Sequence, residues 1–311
     1  MHTGEETTFR EYTQAQGEFY AIGRPSYSRE LYNIILNHHT STGGQLGTVV
    51  DVGCGTGQAT KDLALFFSHA IGLDPSEGMI TSARNAVRSM AVPIRFEVSA
   101  AETLGIHLQP PIADNSVDLL TAATAAHWFD MARFWQSAAR VVKPGGTVAL
   151  WARTGMTVDP INTTNGTAIK AAVEDILQSE LRQYYKQGNT LTRDLYVDLP
   201  LPWNIETPIA EFDKDSFFRQ EWNKSRGGSE TEGLGTGKDL TPEEFEKLIG
   251  TSSPVTRWRE ANIDKARTEE DVVRKARRRI ESLLHEAGVK PGEELLRGQT
   301  ALVLLMVKKK V

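Results

Sequence analysis

The chain has 311 residues, 40% apolar and 24% charged, with a formal net charge of −5. That length suits one large domain or two smaller ones around a sizeable core. The acidic balance argues against a broad nucleic-acid or anionic-membrane footprint.

Residues 1–29 are polar and aromatic, with Phe19-Tyr20-Ala21-Ile22-Gly23-Arg24-Pro25-Ser26-Tyr27, and read as an N-terminal arm or a lid. Glu30 to His38 places Leu31, Ile34 and Ile35 on one helical face. Thr48 to Val52 is a short β-branched run that enters Gly53-Cys54-Gly55-Thr56-Gly57, and a helical pattern opens at Gln58 and runs through Phe67. The order is strand, tight turn, helix. A dinucleotide fingerprint spaces its glycines G-x-G-x-x-G and holds a diphosphate at the helix N-terminus. Here the spacing is G-x-G-x-G behind an acid, Asp51, which suits a ligand that brings an ammonium group. Ala70 to Leu73 is a second strand. It ends in Asp74, about seventeen residues past the last glycine, where a carboxylate accepting both hydroxyls of a ribose is expected.

Pro75 takes a helix N1 position for a helix reaching about Met90. Ile94 to Val98 and Val117 to Ala122 are the third and fourth strands. A helix from Asp130 to Val142 stops at Lys143-Pro144-Gly145-Gly146, and Thr147 to Trp151 is the fifth strand. This alternation predicts a parallel sheet with crossover helices. The period then changes. Residues 166–187 read helical, with Ile169, Val173, Ile176, Leu177 and Leu181 on one face. A proline-rich passage follows, with a short strand near Ile205 to Phe212, and residues 223–239 are expected to be mobile. Thr241-Pro242-Glu243-Glu244 is a capped helix start. Thr268-Glu269-Glu270-Asp271 resembles a second capping box, and the helix after it stops at Gly288. Thr300 to Val307 is a continuous apolar strand of the kind buried on both faces. A strand so late implies that the chain returns to the sheet. The expected organisation is an arm (1–29), a core (30–154), a mainly helical cap inserted over the strand ends (155–295) and a returning strand (296–311).

Cys54 is the single cysteine, so no internal disulfide forms. No Cys/His cluster has metal-ligand spacing, and no metal is expected. The first residues carry no basic region followed by an apolar core, and no apolar run approaches the ~20 residues that span a bilayer. A cytoplasmic protein is expected.

The glycine loop behind Asp51, then Asp74 and the evenly spaced strands resemble the class I S-adenosylmethionine (SAM)-dependent methyltransferases. The arm with Tyr20 and Arg24-Pro25-Ser26-Tyr27, the stretch Asp51 to Gly57, and Ala126-His127-Trp128-Phe129-Asp130 resemble more narrowly the trans-aconitate methyltransferase-like group of small-molecule methyltransferases. The resemblance implies a Rossmann-like α/β fold with a mostly parallel seven-stranded sheet, helices on both faces and a helical cap before the last strand. It implies SAM as cofactor and S-adenosylhomocysteine (SAH) as product, held by Tyr20, Arg24, Asp51, Gly53, Gly55, Gly57, Asp74, Met79, Ala101, Glu102 and Ala123. Ala101 and Glu102 would read the adenine edge. Met79 would cover an adenine face or simply pack in the core.

The loop after Ala123 would pass the sulfonium. There His127 is a candidate base or a structural hydrogen-bonding residue. Trp128 is a candidate cation–π shelter, worth ~0.5–2 kcal/mol, or a packing residue. The Asn/Asp-Pro-Pro-Tyr motif of amide and nucleobase N-methyltransferases is absent here. The cap also departs from the group: Gly250-Thr251-Ser252-Ser253-Pro254 stands where relatives carry Arg-Thr-Trp-Ser-Ala, so carboxylate specificity does not carry over. The expectation is O-, S- or N-methylation of a small molecule, an organic acid or secondary metabolite, by a monomer or homodimer without nucleic-acid or membrane partners. The alternatives are a protein or RNA methyltransferase and a non-catalytic SAM-binding protein.

Overall fold

A computed structural model describes residues 27–88, 92–222 and 237–311. Tyr20, Arg24 and most of the 223–239 stretch lie outside the described residues. In chain order the elements are α1 (Arg29–Ser41), β1 (Thr48–Val52), α2 (Gln58–Leu63), β2 (His69–Asp74), α3 (Glu77–Ala86), β3 (Ile94–Val98), β4 (Val117–Ala123), α4 (Met131–Val141) and β5 (Val142–Arg153). Next come β6 (Thr157–Val158), α5 (Gly166–Leu181), α6 (Gln187–Arg193), β7 (Phe212–Trp222), β8 (Lys238–Leu240), α7 (Pro242–Ile249), α8 (Ser253–Ala261), α9 (Val272–Glu286), β9 (Leu296–Gln299) and β10 (Leu302–Lys309).

The chain forms two compact units. The first holds the described residues up to Ala152 together with Asp194–Glu221 and Leu302–Val311. It is built on a seven-stranded sheet in the order β3-β2-β1-β4-β5-β10-β7. The pairings β1–β2, β1–β4, β2–β3 and β4–β5 are all parallel, so these strands end at one edge. The central strands are apolar on both faces: Val49, Val50, Leu119, Leu120, Val148, Val303 and Leu304 are all buried, as strands covered on both sides require. α4 presents Phe134, Trp135, Ala138 and Val141 as its buried stripe, and the Trp135 indole donates to the Pro200 carbonyl at 2.9 Å.

The second unit holds Arg153–Arg193 and Trp222–Ala301. Its core gathers Ile169, Val173, Phe245, Trp258, Ile280 and Leu284 from α5, α7, α8 and α9. A small antiparallel sheet, β6-β9-β8, accompanies it. Thr241 and Glu244 form the expected capping box of α7. At α9 the cap is Asp271, whose carboxylate accepts from Val273 N at 3.1 Å and pairs with Arg259 Nε at 2.8 Å. Gly250 to Pro254 form the α7–α8 junction, where the Thr251 hydroxyl donates to the Leu248 carbonyl at 2.7 Å.

Several boundaries differ from the sequence reading for physical reasons. Ser76, not Pro75, opens α3: its hydroxyl accepts from Met79 N at 3.3 Å, with Pro75 just outside the cap. α2 stops at Leu63 rather than Phe67, and α3 at Ala86. β5 starts at Val142, paired with Val117, and absorbs Lys143 to Gly146 in a register shift. No strand forms over 205–211; the strand is β7, a polar run at the sheet edge, which pulls 194–221 out of the insertion and into the first unit.

Candidate cofactor site and the loop after β4

Because β1 to β4 run parallel, their carboxyl ends bring the sequence-marked residues to one edge of the sheet. Asp51, near the end of β1, is fully buried. Its Oδ2 accepts from Thr60 Oγ1 at 2.7 Å and its Oδ1 from Thr121 Oγ1 at 2.8 Å. One carboxylate therefore ties β1 to α2 and to β4. Burial pushes it up to about 6, against the pull of the two threonine hydroxyls. No cation among the described residues compensates it.

Gly53 and Gly55 are left-handed, at φ +64° and +54°. A Cβ on Gly53 would meet the Ala125 Cβ at 2.6 Å, so the turn backs directly onto the loop after β4. A Cβ on Gly55 would meet nothing within 4 Å: that face of the loop is open. Gly57 is tight for another reason, since a Cβ there would strike the Phe96 ring at 2.6 Å. Cys54 is buried beside Ile80, Ala83 and Phe96, and burial pushes its thiol well up, which makes it a packing residue. Thr56 Oγ1 is buried with no hydrogen-bond partner among the described residues.

Asp74 closes β2. Its Oδ2 accepts from Gly55 N and its Oδ1 from Ser76 N, each at 2.9 Å, so it joins the glycine loop to the α3 start. Met79 is 3% exposed in the first turn of α3, packed in the core.

After β3, Ala101 is buried. Glu102 has a role with no sequence signal: its Oε1 accepts from Asp130 N at 3.0 Å and its carbonyl from Ser137 Oγ at 2.6 Å, which anchors α4. After Ala123, which pairs in register with Trp151, Thr124 turns left-handed at φ +52° and its hydroxyl meets Tyr27 OH at 2.8 Å. Trp151 is fully buried, edge-on to Tyr27 and Tyr32, and its indole N–H has no partner among the described residues.

His127 and Trp128 sit on a short 3-10 turn, Ala126–Trp128, with their rings 4.7 Å apart. His127 Nδ1 lies 2.8 Å from the hydroxyl of Tyr196, a residue the sequence does not single out. Among the described residues no group of three or more His, Cys, Asp or Glu is placed to hold a metal ion, and no helix is long and apolar enough to cross a membrane.

This edge fits a ligand with an ammonium, a carboxylate and a ribose. A buried acid, a buried hydroxyl without a partner among the described residues, an open glycine face and a carboxylate bound to the glycine loop lie on adjacent strand ends. The family described as "Methyltransferase domain" matches residues 50–150, which hold every one of these features. Residues 50–150 carry a class I SAM-dependent methyltransferase domain.

Proteins similar to this chain include one from Dictyostelium discoideum named as a methyltransferase, 31% identical over 57% of this chain and 60% of that one. Another, from Saccharomyces cerevisiae, is named as a probable SAM-dependent methyltransferase and is 36% identical over 41% of this chain and 42% of that one. The chain thus spans less than two thirds of the length of these relatives. A solved structure from Anaeromyxobacter dehalogenans, described as a type II methyltransferase, is 25% identical, covers 92% of this chain and 97% of its own, and superposes with a TM-score of 0.58.

Proposed function

We propose that the protein transfers a methyl group from SAM to an O, S or N atom of a small molecule. The observation that carries the reading is the uncompensated Asp51 behind an open glycine loop, with Asp74 on the neighbouring strand end. Asp51 receives the ammonium of the cofactor, Thr56 and the glycine loop its methionine end, and Asp74 the ribose hydroxyls. Ala101 and Glu102 border the adenine and Ala123 leads to the acceptor side. Met79 supports the adenine region through the core.

SAM supplies a methyl group already activated for in-line displacement. The protein's task is alignment and exclusion of water. His127 and Trp128 follow directly on the strand that leads to the reacting carbon, and their rings, 4.7 Å apart and tilted by 53°, form a wall for the acceptor. A small acceptor is favoured by the acidic charge balance, which offers nothing to attract RNA.

The test is two-stage. Calorimetry with SAH decides whether the cofactor binds. Tritiated SAM, incubated with the protein and a small-molecule extract, then locates the label. Label in a soluble low-mass product supports the reading. Label confined to precipitable protein or RNA overturns the small-molecule acceptor, and an SAH titration without heat overturns the whole.

A further inference from the structure

Leu195 and Tyr196 are both left-handed, at φ +53° and +58°. Two adjacent bulky residues in that region are genuine outliers, which persist only where the surroundings force them and which point toward function. Here the force comes from β7. Arg219 Nη2 donates to the Leu195 carbonyl at 2.6 Å, Arg219 Nη1 reaches the Tyr196 carbonyl at 3.5 Å, and the guanidinium is itself paired with Glu221. The strained turn delivers one thing. The Tyr196 side chain is 1% exposed, with its hydroxyl 2.8 Å from His127 Nδ1.

The direction of that hydrogen bond follows from counting protons. Burial pushes the Tyr196 hydroxyl well above its usual range, against the pull of the His127 and Ala126 backbone N–H groups, so the phenol keeps its proton. Those N–H groups can only donate toward the oxygen. The O–H must find an acceptor, because buried hydroxyl donors are almost always satisfied. Among the described residues the acceptor in reach is His127 Nδ1. If Nδ1 carried the ring proton, both groups would point donors at one another and the buried O–H would be stranded. With Nδ1 accepting, the neutral imidazole holds its proton on Nε2.

We propose that Tyr196 is a positioning residue that fixes His127 as the Nε2–H tautomer, so that His127 orients the methyl acceptor as a hydrogen-bond donor and does not remove its proton. This rests on the methyl-transfer reading above. A neutral imidazole can take a proton only at its unprotonated nitrogen, and Tyr196 occupies that nitrogen. The strained turn and the Arg219 clamp hold the lock in place.

Nitrogen NMR on histidine-labelled protein at pH 7.5 tests this directly, with His127 assigned by loss of its signals in His127→Gln. The expected result is a pyrrole-type Nε2 and a pyridine-type Nδ1, with the tautomer ratio about tenfold or more in favour of Nε2–H. In Tyr196→Phe, which keeps the ring and its packing, the ratio should fall severalfold. Signals reporting Nδ1–H in the wild type would overturn the proposal. So would signals unchanged in Tyr196→Phe, since a merely structural tyrosine alters melting temperature and leaves the tautomer alone. The wild-type spectrum decides the matter even if the variant folds poorly. SAH calorimetry on the same samples keeps the two readings separable: absent binding refutes the methyltransferase reading, whereas a wrong tautomer in a protein that binds SAH refutes only the role of Tyr196.

Discussion

Asp51→Asn separates the charge of the buried acid from its shape. A carboxyl held at about 6 rather than 3.8 costs the folded protein about 3 kcal/mol when ionised at pH 7. Between those two pH values the folded state keeps a proton that the unfolded state has released, so this group makes stability fall as pH rises. Asparagine removes that cost and keeps one oxygen for Thr60 or Thr121. The lost charge-assisted hydrogen bond returns ~1–2 kcal/mol of it. The variant without ligand should therefore be as stable as wild type or more so at pH 7.5, by up to ~2 kcal/mol, a rise of a few degrees in melting temperature. Cofactor binding should move the other way. Losing a charge-assisted bond to the ligand ammonium should weaken SAH by about ten- to a hundredfold. Because a bound cation favours the ionised acid, wild-type affinity should also rise with pH through about 6, and the variant should lose that dependence. Thermal melts and SAH calorimetry at pH 5.5 and 7.5 make the measurement. A lower melting temperature with unchanged SAH affinity would refute the reasoning, for Asp51 would then be a structural strut and nothing more.

Asp74→Ala should weaken SAH by about ten- to a hundredfold, and Asp74→Asn by less, because the amide can still accept from one of Gly55 N and Ser76 N; equal affinities by calorimetry would sink the ribose assignment. His39 is fully buried, with Nδ1 2.7 Å from Thr147 Oγ1 and Nε2 2.9 Å from the Gln45 carbonyl, and burial lowers it from 6.5. Its contribution is present above pH 6.5 and is lost as pH falls through its lower folded value. His39→Gln should flatten that part of the stability profile in urea titrations. Asp271 is raised by burial, but the Arg259 side chain and the Arg267 and Val273 backbone N–H groups outweigh it and lower it below 3.8, so its stabilisation holds at neutral pH and is lost only as pH falls through that lower value. Asp271→Asn should cost about 3 kcal/mol by denaturant titration at pH 7, and a loss under 1 kcal/mol would refute the buried pair.

The order of strands and helices through β5 is written locally. Thr48 to Gly57 places a β-branched run, turn glycines and a helix start in succession, and such period changes need no tertiary information. Asp51 and Asp74 were legible for the same reason, since parallel strands must end at a common edge and whatever closes them meets there. The polar strand β7 was not legible. An edge strand satisfies half its backbone from one neighbour and buries little side chain, so Phe212 to Trp222 carries no apolar run to announce it. The helix starts at Ser76 and Asp271 went to the residue whose side chain reaches the free N–H groups, which geometry decides among several capable neighbours.

The sequence alone determined the chemistry available at the strand ends, because residue type fixes charge and hydrogen-bonding capacity. Only the tertiary structure decided how that capacity is used. Glu102 anchors Asp130, 28 positions away, and Tyr196 meets His127 across 69. No local pattern encodes partners so distant in the chain. The first pair meets where parallel β3 and β4 end at one edge of the sheet, and the second where the Arg219 clamp of β7 holds a turn whose backbone would not keep its shape in isolation.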